Sequence, residues 1–283
     1  MQLIEARNFF RDALKGFYPI NEADYYFKMI LPVLFGIDPI DLALSPKHPF
    51  NAIQQNKLKS VITDLLNQKP IQYILGEIYF RKIVLKVNPK VLIPRPETEE
   101  LVDWILDDYS QLEHEISVLD LGTGSGCIAL SLKKEQAFFK VHALDLDASI
   151  LEVVKRNAEW NTLDINCIQA DMRALDSVEL EVEIIVSNPP YITPKEKKAM
   201  KKNVLEFEPH QALFVQQDDP LLFYRKILIF AEKKLKAKGR IYLEINPLFE
   251  SELEALIFNF ESYNITKRLD IFGKIRMFRL EKI

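Results

Sequence analysis

An apolar run, Ile116-Ser-Val-Leu-Asp120, breaks into Leu121-Gly122-Thr123-Gly124-Ser125-Gly126 and resumes as Cys127-Ile-Ala-Leu-Ser-Leu132. Glycines at alternate positions permit a tight turn and let a ligand approach bare N–H groups where a helix begins. Strand, turn and helix in that order form the opening unit of an α/β sheet. A second apolar run, Lys140-Val-His-Ala-Leu144, ends in Asp145, nineteen residues after Gly126. A carboxylate at that place suits the two hydroxyls of a ribose, so the stretch predicts a nucleoside site on a doubly wound sheet.

The rest of the chain fits that frame. Ile150, Leu151, Val154 and Asn157 lie at helical spacing, and Ile165 and Ile168 mark a short strand before Ala170-Asp171-Met172. Asp171 and Met172 read either as contacts to an adenine amino group and ring or as an ordinary strand-to-helix turn. Val182 to Ser187 is a buried strand, and a helix from about Leu221 to Leu235 precedes the strand Arg240–Glu244. A helix around Leu253 to Phe258 leads to closing strands at about 263–268 and 275–280, expected to be antiparallel. The expected fold is a mostly parallel, seven-stranded doubly wound sheet over residues 96–283.

Upstream the period changes. Residues 1–72 carry apolar positions at helical spacing (Phe9, Phe10 and Leu14; Tyr26, Met29 and Ile30; Leu58, Val61, Ile62 and Leu65), punctuated by prolines. They predict a small helical bundle, either a partner-recognition domain or a cap on the main domain. Residues 73–95 alternate as a β-hairpin around Arg81-Lys82 and run into Leu92-Ile-Pro-Arg-Pro-Glu-Thr-Glu99, which is either a linker or a wall of the nucleoside pocket. Thr98 or the prolines before it are expected to start the next helix.

Composition excludes several classes. Of 283 residues, 48% are hydrophobic and 28% charged, enough for an ordinary core. No apolar run is long enough to span a membrane, and the N-terminus lacks the basic-then-apolar layout of a signal peptide. Cys127 and Cys167 do not make a disulfide framework, and the histidines show no metal-ligand spacing, so a metal-free cytoplasmic protein is expected. A net charge of −4 provides no global field for nucleic acid. The lysines at 195, 197, 198, 201 and 202 form either a solvated helix face or a basic lip.

The cofactor follows from spacing. A dinucleotide enzyme calls for G-x-G-x-x-G, whereas Gly122, Gly124 and Gly126 are spaced G-x-G-x-G, and no second nucleotide-binding half follows. The chemistry is carried by Asn188-Pro189-Pro190-Tyr191, directly after the Val182–Ser187 strand. Asn188 offers a side-chain carbonyl, Pro189 and Pro190 offer carbonyls without N–H groups, and Tyr191 offers an aromatic face. Such a site suits a planar H₂N– group, which has two protons to place. Methyl transfer from S-adenosylmethionine, with S-adenosylhomocysteine as product, fits both halves. Gly122, Thr123, Gly124, Ser125, Gly126, Asp145, Met172 and Asn188 are the expected cofactor contacts.

Together with Pro70-Ile-Gln-Tyr-Ile-Leu-Gly76, Leu92-Ile-Pro-Arg-Pro-Glu-Thr-Glu99 and Glu208-Pro209, these motifs resemble the release-factor glutamine methyltransferases over nearly the whole chain. The resemblance implies methylation of the side-chain amide nitrogen of glutamine in the Gly-Gly-Gln motif of class I peptide-chain release factors. It also implies that Gly122 to Gly126 line the cofactor, that Asp145 binds its ribose, that Met172 lies against adenine, and that Asn188 to Tyr191 hold the glutamine. The chain departs from the family at Val215–Leu221, where a Gly-Gly-x-Asp-Gly-Leu run is usual, and at Asn246-Pro247, where glycine is. Asn188, Pro189 and Tyr191 are the expected catalytic residues, acting by position and electrostatics without a strong base. A monomer without stable nucleic-acid binding is expected. Adenine N6 is also an amino group on a planar carbon, so a DNA or RNA adenine methyltransferase is the alternative, as is glutamine methylation of a ribosomal protein.

Overall fold

The computed structural model describes residues 1–215, 219–260 and 262–283, so residues 216–218 of the Val215–Leu221 departure lie outside the described residues. Two compact units emerge: Met1–Gly76 with Lys201–Phe207, and Glu77–Met200 with Glu208–Ile283.

The first unit is helical. Helices Leu3–Leu14, Ile20–Ile30 and Ala52–Leu66 bury one stripe each, centred on Leu3, Phe10, Leu14, Phe27, Ile30, Leu58 and Leu65. The Phe10 and Phe27 rings meet at 5.4 Å between centroids. The third helix starts where a reciprocal cap starts it: Asn51 accepts from the Gln54 N–H, and the Gln54 side chain accepts from the Asn51 N–H, both at 2.9 Å.

The second unit is built on sheets. Strands β1 (Glu77–Phe80) and β2 (Ile83–Lys86) form the expected hairpin. Then come β3 (Ile116–Leu121), β4 (Phe139–Asp145), β5 (Asn166–Gln169), β6 (Val182–Ser187), β7 (Leu235–Glu244), β8 (Tyr263–Leu269) and β9 (Ile275–Lys282). The seven-stranded sheet runs β5-β4-β3-β6-β7-β9-β8, parallel except where β9 pairs antiparallel with β7 and β8. β7 begins five residues before the expected Arg240, because Leu235 pairs with Val182 across a register break.

The chain winds outward from β3 to β5 and returns to lay β6 beside β3, so the strand order reverses between those two. Open α/β sheets bind ligands outside the carboxyl ends at such a reversal. Both motifs singled out in the sequence lie there: the glycine turn follows β3, and Asn188 follows β6. The Ser187 hydroxyl donates to the Leu121 carbonyl at 2.7 Å and joins the two strand ends.

The hairpin is fastened by side chains. Asn157, fully buried on the Ala148–Trp160 helix, accepts from Lys86 N–H at 2.7 Å and donates to the carbonyls of Lys86 and Ser125 at 3.1 and 2.9 Å. One carboxamide thus acts as a strand partner to β2 and a brace for the glycine turn. Among the described residues no helix is long and apolar enough to cross a membrane.

Candidate active site

A cavity of about 280 Å³ opens at the reversal point. Gly122, Thr123, Gly124 and Ser125 line one side with Asp145 and Met172, and Asn188 and Pro190 line the other. Three of the residues expected at the site, Gly126, Pro189 and Tyr191, are not among its walls. Gly126 instead turns the chain into the Cys127–Glu135 helix with φ +82°.

The nucleoside side is shaped by backbone. Gly122 has φ +74°, a conformation that favours glycine, and a Cβ there would press on the Met172 sulfur at 3.0 Å. Asp145, at the end of β4, accepts from Gly124 N–H at 3.1 Å and from Asp147 N–H at 3.3 Å. With Leu146 N–H also bonded to this carboxylate, three of its roughly four acceptor sites are taken and one is left for a ligand hydroxyl. Asp171 also lines the cavity and is gripped by its neighbour Arg173, at 2.7 Å from Nη2.

Asp120 lies buried beneath the turn. Its Oδ2 accepts from the Thr123 hydroxyl at 2.7 Å and from Ala129 N–H at 3.3 Å, while buried Oδ1 has no partner among the described residues. Burial pushes this carboxyl up to about 7 against the pull of those two donors, with Asp145 adding repulsion. A glycine cradle and an acceptor at the end of β4, with the Asp120 carboxyl buried beneath the turn, fit a nucleoside such as S-adenosylmethionine.

The other side depends on groups behind the wall. Of the two starts the sequence offered, Thr98 or the prolines before it, the helix Pro96–Asp108 takes the proline, with Arg95 as its cap residue. Proline already sets the first helical φ, which leaves the Thr98 hydroxyl to turn inward. It donates to Glu244 Oε2 at 2.7 Å and accepts from Asn188 Nδ2 at 3.2 Å. The Tyr191 hydroxyl donates to Glu244 Oε1 at 3.0 Å. Burial raises the Glu244 carboxyl, opposed by the hydrogen bonds from Thr98 and Tyr191 and by the charge of Arg276. The Tyr191 phenol is likewise raised, by burial and then by Glu244, and stays a donor.

Two loops are tied at the rim. Arg95 Nη2 reaches Glu208 Oε1 and Oε2 at 2.6 and 2.7 Å, and Ile93 N–H points at the same carboxylate from 3.4 Å. The Leu92–Glu99 run, which read as either linker or wall, is therefore a wall: Leu92, Pro94, Arg95 and Thr98 face the cavity. Asn246 donates to the Tyr191 carbonyl at 3.3 Å and to Glu196 at 3.0 Å, so the departure from glycine there adds a brace behind Tyr191. Sequence reading passed over Thr98 and Glu244 as site residues. The signal available was Glu244's place at the carboxyl end of an apolar strand, where Asp120 and Asp145 also stand.

Comparison with known proteins extends this picture beyond the cavity. Residues 104–214 match the family model described as methyltransferase small domain, and residues 5–76 the one described as PrmC N-terminal domain. The release factor glutamine methyltransferase of Flavobacterium psychrophilum is 41% identical over 276 residues, 97% of this chain and 97% of its own. That of Bacteroides thetaiotaomicron is 37% identical over 270 residues, covering 95% and 96%. A solved methyltransferase structure from Pyrococcus furiosus shares the fold, with a TM-score of 0.52 at 18% identity over 79% of this chain and 98% of its own. Identity of the order seen in the first two, over nearly the full length of both proteins, shows more than a shared sheet: the chain belongs to the release factor glutamine methyltransferases.

Proposed function

We propose that this protein methylates the side-chain amide nitrogen of the glutamine in the Gly-Gly-Gln motif of class I peptide-chain release factors, in the cytoplasm. The observation that carries the reading is Asn188. Its Nδ2 is engaged by Thr98, and its carbonyl oxygen, to which no hydrogen bond is made among the described residues, belongs to a cavity wall opposite the glycine turn.

Gly122 to Ser125, Asp145 and Met172 would hold S-adenosylmethionine, which supplies an electrophilic sulfonium methyl. An amide nitrogen is a poor nucleophile, since its lone pair is delocalised into the carbonyl. The task of the protein is therefore to place that nitrogen, to stabilise the positive charge growing on it as the methyl–sulfur bond breaks, and to let one of its two protons pass to water so that the product is a neutral secondary amide. Asn188 Oδ1 accepts one N–H of the substrate amide at the cavity wall. The Pro189 carbonyl, next along the loop though not part of that wall, accepts the other, and Pro190 and Tyr191 fix the shape of the loop that carries them. An acceptor pair matches a carboxamide and repels a carboxylate, so glutamine is taken and glutamate refused. The helical unit, Met1–Gly76 with Lys201–Phe207, supplies partner recognition.

The test is methyl transfer from labelled S-adenosylmethionine to a release factor, to its Gly-Gly-Gln→Gly-Gly-Ala variant and to duplex DNA. Label on the intact factor alone supports the reading; label on DNA alone replaces it with adenine methylation. Asn188→Ala should lower kcat by about 100-fold or more while cofactor affinity holds within a few-fold.

A further inference from the structure

We infer that Thr98 and Glu244 form a proton-ordered lock that fixes which end of the Asn188 carboxamide faces the substrate. The inference rests on the proposed role of Asn188 as acceptor for the substrate amide, and it assigns positioning roles, exerted through Asn188, to Thr98 at the cavity wall and Glu244 behind it.

An asparagine side chain is nearly symmetrical in shape. Rotated by half a turn, Asn188 would present an NH₂ group to the cavity and repel the N–H groups it is meant to receive. Something must choose between the two orientations, and the chain of donors behind the wall does so. The two oxygens of Glu244 each accept a hydroxyl proton, one from Thr98 and one from Tyr191. A hydroxyl has a single proton. Once Thr98 has spent it on Glu244 at 2.7 Å, its oxygen toward Asn188 is an acceptor only. The group 3.2 Å away must then be the amide NH₂, which leaves Oδ1 for the cavity.

The lock is well insulated. Thr98 and Glu244 are each 2% exposed, so water does not compete for the hydroxyl proton. The groups that hydrogen-bond or interact electrostatically with Glu244 come from five elements, one of them the Cys127–Glu135 helix, through Cys127. Glu97 and Thr98 lie on the Pro96–Asp108 helix, Tyr191 follows β6, Tyr224 lies on the Leu222–Lys234 helix, and Arg276 lies on β9. Tyr224 donates to the Glu244 backbone carbonyl at 3.1 Å and steadies the residue that anchors the chain. The same carboxylate holds Tyr191, so one buried group sets the direction of Asn188 and the position of the aromatic residue three places on.

Thr98→Val keeps the shape of the side chain and removes the hydroxyl; Thr98→Ser keeps the hydroxyl and removes a methyl. With release factor and S-adenosylmethionine, T98V should lose at least about tenfold in kcat while its cofactor affinity and Tm stay near wild type, and T98S should recover most of the rate. With the direction of the amide released, a release factor carrying Gly-Gly-Glu should inhibit T98V more strongly than wild type. Asn188→Ala is run alongside. An N188A enzyme as fast as wild type overturns the reading of the site and this proposal with it. An impaired N188A beside a T98V of wild-type rate overturns the lock alone. So do equal losses in T98V and T98S, a loss confined to cofactor affinity, or unchanged inhibition by the Gly-Gly-Glu factor.

Discussion

Asp120 illustrates what a buried carboxylate does for a site and costs a fold. Its ordinary value of 3.8 is pushed up to about 7, chiefly by burial. The folded state therefore holds the proton more tightly than the unfolded chain. The stabilising contribution is complete below pH 3.8 and is lost as pH rises through about 7. Within that window each step of one pH unit removes about 1.4 kcal/mol. The cofactor-free protein should show a Tm that falls from about pH 4 to about pH 7. Asp120→Asn, which can still accept from Thr123 and Ala129, should flatten that slope, and differential scanning calorimetry at several pH values decides it. An unchanged slope would move the cause to Asp145 or Glu244, whose carboxyls burial also raises. Asp120 was visible in the sequence only as the end of a strand. Its missing partner depends on which atoms close over it, and local spacing does not encode that.

At the scale of elements, periodicity carried the reading far. The Ala52–Leu66 helix, the Val182–Ser187 strand and the closing antiparallel hairpin stand where the apolar pattern put them. What escaped it was contact between distant positions: Thr98 and Glu244 are 146 residues apart, and Arg95 and Glu208 are 113 apart. Neither pair has any local signature. Asn157 belongs to this group too, since helical spacing marked it only as one inward position. Asn157→Ala removes three hydrogen bonds and strands the N–H and carbonyl of Lys86. Denaturant unfolding should show a loss of about 2–4 kcal/mol with an unchanged m-value. Asn161→Ala removes the Asn161 bonds to the N–H and carbonyl of Val84, at 3.3 and 2.8 Å, at a half-buried site; it should cost about 1 kcal/mol.

At the scale of the molecule, the division into units is not a division of the chain at one point. The backbone leaves the helical unit after Gly76, returns for Lys201–Phe207 and leaves again. Within that unit, Lys202, Glu206 and Phe207 share a surface hollow with Asp64 and Gln68, at the end of the Ala52–Leu66 helix. Fusion engineering inherits a constraint from this threading. A hybrid enzyme that takes residues 1–76 from a relative receives a module with one piece missing, while the host's own Lys201–Phe207 meets a foreign surface. Grafting both segments together should give a chimaera that melts several degrees above the single-segment exchange. For this enzyme, the unit of exchange is then two strips of sequence that travel as one.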